Sequence, residues 1–166
     1  MVEQNLPNKI WLENPTGKIP KGTVCDCCGR YNSRNSVGHA LVIQKNKVLM
    51  VLRAHDPMSG FWGLPGGYID WDETLEECAL RELQEKTGYI GKNPVLFGIY
   101  SGPKRDQDGR QNVGIVYLVD QFSADTATTP EEILDVTWFD LDKLPEKIAF
   151  DHRQIIEDYK RKINKK

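Results

Sequence analysis

The stretch from Gly66 to Tyr89, GGYIDWDETLEECALRELQEKTGY, leaves this chain little freedom in how it folds. Thr74 with Glu77 three residues on is a capping-box pair, and Gly88 stands where a helix C′ glycine belongs. The spacing predicts a helix from about Leu75 to Thr87. Leu75, Ala79 and Leu83 recur every four residues and give one apolar stripe that needs a surface to pack on. The glycine pair Gly66-Gly67 predicts a turn just before it, where backbone oxygens approach the helix without side-chain obstruction.

The same helix carries acids in a meaningful pattern. Glu82 and Glu85 are three apart, so they share a face one turn from each other. Carboxylates held that close repel, and the repulsion raises at least one pKa unless a cation lies between them. A hard divalent ion such as Mg²⁺ prefers oxygen ligands and relieves that conflict. Arg81 can pair with Glu77 at helical spacing or reach Glu73 across the turn, and either contact would orient the glutamates. The alternative is a surface helix whose acids are merely solvated.

The rest of the chain alternates short apolar runs with polar connections. His39–Ile43 and Val48–Leu52 flank Gln44-Lys-Asn-Lys47, a hairpin pattern. Trp62 to Gly67 reads as a short strand breaking into a turn. Further strands are predicted at Val95–Tyr100, Val113–Val119 and Val136–Phe139, and a last helix from about Asp151 to Lys162. Its basic end, Lys160 to Lys166, reads as a solvated terminus complementing the helix dipole. Residues 1–35, broken by Pro7, Pro15, Gly17, Pro20, Gly22 and Gly29, are expected to form an irregular arm with one short strand near Ile10–Leu12. Residues 36–166 then form a mixed α+β domain.

Composition narrows the partners. A formal net charge of -2 over 166 residues points to neither a nucleic acid nor a membrane surface. No apolar run is long enough to span a bilayer and no secretory pattern opens the chain, so a cytoplasmic location is expected. Cys25, Cys27 and Cys28 crowd together, too close for a disulfide framework. They resemble half of a zinc ribbon, but no second CxxC follows, and a loop of reduced thiols is expected.

Gly67, Glu73, Arg81, Glu82, Leu83, Glu85, Gly88 and Tyr89 together resemble the Nudix box, at that family's spacings. The resemblance extends over residues 36 to 163. Trp62-Gly-Leu-Pro-Gly-Gly67 is similar to the usual lead-in, and Glu132 to Phe139 with Leu144-Pro145 is similar to the closing segment. Gly102-Pro-Lys-Arg-Asp106 and Phe150-Asp-His152 resemble members that are ADP-ribose or sugar-nucleotide pyrophosphatases. The resemblance implies an α/β/α sandwich with a mixed sheet between helices. It also implies Mg²⁺- or Mn²⁺-dependent hydrolysis of the diphosphate linkage in a nucleoside diphosphate derivative, with a nucleoside triphosphate as the lesser choice. Carried over by position, Glu82, Glu85 and Glu132 are the catalytic acids, and the Gly66 carbonyl, Glu82 and Glu85 are the metal ligands. Gly67, Glu73 and Arg81 support the site. Arg53, Arg105 and Asp106 are candidates for substrate contact, although Arg105 and Asp106 read equally well as surface charges without a role. The partner implied is a small nucleotide, and a homodimer is compatible with the pattern.

Two positions depart from the box. Lys86 stands where the family carries a second glutamate, normally a direct metal ligand. A protonated lysine cannot ligate a metal, but it could bind a substrate phosphate. If exposed, it would pair with Glu82 for a few tenths of a kcal/mol. A slower hydrolase, one with altered metal demand, and a domain that binds or senses nucleotides without turnover are the readings this leaves; the surviving Glu82 and Glu85 favour activity. Asp72 stands where glycine is usual, a turn position aspartate tolerates. Trp71 beside it is expected to pack.

Overall fold

The computed structural model describes residues 24, 31, 33–106, 110–125 and 131–164. The chain divides into two units, Met1–Arg34 and Asn35–Lys166. In the first, a β-bridge joins Val24 to Tyr31. The Ile10–Leu12 strand and the Cys25, Cys27 and Cys28 cluster lie outside the described residues.

The second unit begins with β1 (Ser36–Gln44) and β2 (Lys47–Arg53), the predicted hairpin. Lys45 and Asn46 turn it with φ of 46° and 62°, the left-handed pair that a two-residue connection needs. Then come β3 (Trp62–Gly63), β4 (Gly66–Tyr68) and α1 (Leu75–Thr87). After α1 follow β5 (Tyr89–Lys92), β6 (Val95–Tyr100), β7 (Val113–Val119), β8 (Gln121–Ala124), β9 (Ile133–Asp140) and α2 (His152–Ile163).

One sheet runs β3-β2-β1-β7-β6, with β4 added to β1 and β9 to β2. β1 and β7 are parallel from Ser36 opposite Val113 to Val42 opposite Val119, and the other pairings in this sheet are antiparallel. A parallel pair needs a crossover, and α1 lies within it. β1 and β2 stay paired only at Ile43–Val48 and Gln44–Lys47. Beyond that they splay. β4 takes over the edge of β1 and β3 that of β2, which opens a gap between the strand ends.

Alternation along β1 decides which helix lies where. Ala40 and Val42 pack with Leu83 of α1, while Leu41 packs with Ile155 and Ile156 of α2. Successive side chains on a strand point to opposite faces, so the two helices cover opposite sides of the sheet. This is the α/β/α sandwich that the sequence implied. α1 starts and stops as its caps predict: Thr74 Oγ1 accepts from Glu77 N at 3.2 Å, and Glu77 Oε2 accepts from Thr74 N at 2.7 Å. Gly88 closes the helix at φ 70°.

Several expectations need correction. Gly66-Gly67 is not a turn but the start of β4, hydrogen-bonded to β1; the turn comes later, at Asp72, with φ 64°. Strand β9 begins three residues before Val136 because β2 offers it a full-length partner. β5 and β8 form a separate antiparallel pair that the sequence did not signal. The basic end of α2 is not merely solvated. Lys160 Nζ donates to Leu141 O at 3.1 Å, and Lys162 Nζ donates to Phe97 O at 2.9 Å. No helix among the described residues is long and apolar enough to cross a membrane.

Candidate active site

The box helix meets β4 flush. A Cβ at Gly67 would overlap the Glu82 carboxylate, and one at Gly66 would overlap the His39 ring and the Gly38 carbonyl. Both glycines are therefore required by close approach and not by φ, which is why β4 can lie over Glu82 at all.

Arg81 organises the acids. Its Nε and Nη2 donate to the two oxygens of Glu73 at 2.9 and 2.7 Å, and Nη1 donates to Glu82 Oε1 at 3.1 Å and Glu85 Oε2 at 3.2 Å. Nη2 also reaches the Tyr68 carbonyl at 3.2 Å. Of the two partners open to Arg81, the structure selects Glu73; Glu77 is used in the capping box. The fork of hydrogen bonds from Arg81 holds the Glu73 carboxyl down to about 2. Glu82 is buried, but Glu85 is half exposed and turned to Arg81.

Lys86 is where the geometry departs most from the expectation. It is buried, 8% exposed, rather than a surface partner for Glu82. Its Nζ donates to Gly66 O at 2.8 Å and lies 3.1 Å from Glu82 Oε2 and 3.3 Å from Glu132 Oε1. The contact with Glu82 is ionic without hydrogen-bond alignment, and Glu82 Oε2 has no hydrogen-bond donor among the described residues. Gly66, Glu82 and Glu132 come from β4, α1 and the turn before β9, and the ammonium stands where they converge. Among the described residues no three acids, histidines or thiols gather to hold a metal ion. The oxygen set that would suit one is filled by the lysine.

A cavity of about 270 Å³ opens at the splayed ends of β1 and β2, lined by His39, Arg53, Tyr68, Lys86, Glu132 and Phe150 among others. A larger, more open depression of about 1340 Å³ between β6 and α2 contains no residue of the box. His39 and His152 meet edge to face in the smaller cavity with ring centroids 4.8 Å apart. Burial holds His152 down to about 3, with Arg105 and Arg53 adding to the effect, and burial with His152 nearby lowers His39 as well. Both are neutral at neutral pH. His152 Nδ1 accepts from Leu64 N at 3.0 Å, which puts its proton on Nε2. That Nε2 and both nitrogens of His39 are buried without a hydrogen-bond partner among the described residues.

Arg53, Arg105 and Asp106 also border this cavity, in different ways. Arg53 spends Nε and Nη2 on Pro57 O at 3.1 and 2.9 Å and lies over the Phe150 ring at 5.1 Å. Arg105 and Asp106 are not surface charges. Arg105 forks onto Asp151 with two bonds of 3.0 Å and reaches Asp106 at 3.2 Å, while Asp106 accepts from Asn112 N. They latch the loop after β6 onto the start of α2. Trp71 is 82% exposed and lies outside the core, beside the tight turn at Asp72. No spacing in the sequence marks His39 and His152 as neighbours. The Phe150-Asp-His152 and Gly102–Asp106 matches are the sequence signals that point to this wall.

The comparisons with known proteins agree with the geometry. The family model of the NUDIX domain matches residues 32–159. The ADP-ribose pyrophosphatase of Methanocaldococcus jannaschii is 40% identical over 121 residues, 72% of this chain and 70% of that one. Among solved structures, the MutT NUDIX hydrolase from Burkholderia pseudomallei superposes with a TM-score of 0.68 at 29% identity, covering 74% of this chain and 95% of that one. The NUDIX domain of Shewanella oneidensis NrtR, solved with ADP ribose, gives 0.63 at 28% identity over 98% of this chain and 99% of its own. The box, the sandwich and these likenesses converge: the chain belongs to the Nudix family and is an enzyme of its pyrophosphohydrolase type.

Proposed function

We propose that this enzyme hydrolyses the diphosphate linkage of a small nucleoside diphosphate derivative, with the ADP-ribose or sugar-nucleotide class ahead of a nucleoside triphosphate. The observation that carries the reading is the cavity lined by Arg53, Lys86 and Glu132, with the Glu82 carboxylate 3.1 Å from the Lys86 ammonium. A relative named for ADP-ribose hydrolysis and a neighbour solved with ADP ribose support the substrate class.

Diphosphate hydrolysis asks a protein chiefly for positioning and charge neutralisation. Water adds to one phosphorus, the bridging P–O bond breaks, and the proton of the water passes to a carboxylate. Glu82 or Glu132 takes that proton and orients the water, while Lys86 and Arg53 face the phosphates. Glu85, half exposed and paired with Arg81, helps to hold Arg81 in place beside Glu82. The unspent nitrogens of His39 and His152 supply hydrogen bonds to the rest of the substrate. Arg105 and Asp106 shape the wall without spending a charge on the ligand. Mg²⁺ or Mn²⁺ enters the proposal as the counterion that a diphosphate carries in solution, because the lysine fills the protein's own oxygen set. The enzyme acts in the cytoplasm on a small-molecule partner in place of a nucleic acid, and its pattern is compatible with a homodimer.

The test is product formation from ADP-ribose, sugar nucleotides and nucleoside triphosphates by the natural chain and by Glu82→Gln. The natural chain should turn over one of the first two classes, and Glu82→Gln should fall to background. The buried lysine favours a second reading, a domain that binds the nucleotide without turnover. Calorimetric binding of ADP-ribose with no product from any substrate would establish that reading and end the first.

A further inference from the structure

We propose that the Lys86 ammonium is the resident cation of this site: it takes the seat formed by the Gly66 carbonyl, Glu82 and Glu132, and so keeps a divalent ion from binding there. The inference concerns the same site as the proposed reaction, but it does not need turnover to be tested.

The first argument is convergence. A lysine placed only to pair with Glu82 would be satisfied by one carboxylate on its own helix. Here Nζ reaches oxygens from three separate elements, at 2.8, 3.1 and 3.3 Å. An ammonium is a compact point charge, so it suits a pocket of one carbonyl to which it donates and two carboxylates that it neutralises. The second argument is the state of Glu82. Its Oε2 is buried and receives no hydrogen bond from the described residues, so its compensation is the ionic contact with Lys86. Lysine is almost never this buried unless paired.

The third argument is charge. Two carboxylates and one ammonium leave the seat with one net negative charge. A glutamate at position 86 would make three carboxylates, and a bound divalent ion would return the sum to the same single negative charge. Exchanging that acid for a lysine therefore removes the need for the ion without altering the local balance. An ammonium and a divalent cation cannot both occupy the seat, since like charges at contact distance repel strongly in a buried site.

Substrate-free protein, titrated with Mn²⁺ and followed by electron paramagnetic resonance and calorimetry, tests the assignment. Lys86→Glu should take up one more Mn²⁺ per chain than the natural protein, and adding Glu82→Gln to it should remove that ion. In the natural chain, Glu82→Gln should leave Mn²⁺ uptake unchanged. Equal uptake by the natural chain and a folded Lys86→Glu would overturn the proposal, as would any Mn²⁺ that the natural chain loses on Glu82→Gln. If circular dichroism shows that Lys86→Glu does not fold, the natural chain and its Glu82→Gln variant still decide the matter. The Mn²⁺ count is independent of product formation, so the seat and the reaction can fail separately.

Discussion

Gly67 shows how one missing side chain can carry a site. A methyl group there would occupy the space of the Glu82 carboxylate, and β4 cannot retreat while it is hydrogen-bonded to β1. Gly67→Ala should therefore cost about 1–3 kcal/mol, the usual penalty of overpacking, and should displace Glu82 from Lys86. Urea unfolding together with a turnover assay checks both effects; an unchanged midpoint with unchanged turnover would refute the packing argument. Residue-scale legibility was uneven. Local spacing offered Arg81 both Glu77 and Glu73, and the structure pairs it with Glu73 and with Glu82, all within one turn and one helix. The destination of Lys86 could not, since it is set by a carbonyl twenty residues away and an acid on a distant turn. The burial of Arg105 was hidden for the same reason: its partner Asp151 is remote in sequence, and Asp106 is held by Arg105 and Asn112 N.

At the level of elements, α1 binds the fold to the chemistry. Its stripe packs through Leu83, which is fully buried against Ala40, Val42, Leu49 and Val119, while the next face carries Glu82 and Lys86. Leu83→Ala should cost about 2–5 kcal/mol by leaving a cavity beneath the helix. Because the acids ride on the same backbone, activity should fall before the protein unfolds. Chemical denaturation and kcat measured on the same preparation would separate the two, and a stability loss below that range would mean that the sheet collapses into the space. The helix itself was legible to its last residue, since its capping box and closing glycine are local signals. The β5–β8 pair was not. Each strand has four residues, and their register joins Tyr89 to Ala124 across a long separation that no local pattern reveals.

For the whole molecule, the buried charges set how stability responds to acid. His39 and His152 stay neutral in the folded protein, whereas in the unfolded chain they would gain protons below the ordinary imidazole value of 6.5. For His152 stability is then lost as pH falls from about 6.5 toward 3, at up to about 1.4 kcal/mol per pH unit, and His39 adds a loss of the same sign. Glu73 adds a second loss. Its carboxyl, held near 2 against 4.5 unfolded, contributes fully above 4.5 and less as pH falls through the folded value. Melting temperature against pH should thus begin to decline near 6.5. His152→Asn, which retains an acceptor for Leu64 N, should make that first decline shallower. A flat profile down to pH 4.5 would refute the assignment of the histidines. A different consequence follows from Lys86. An ion that belongs to the chain does not obey mass action: dilution cannot release it and a chelator cannot strip it. Its occupancy is decided once, when the ribosome inserts the residue and the chain folds around it.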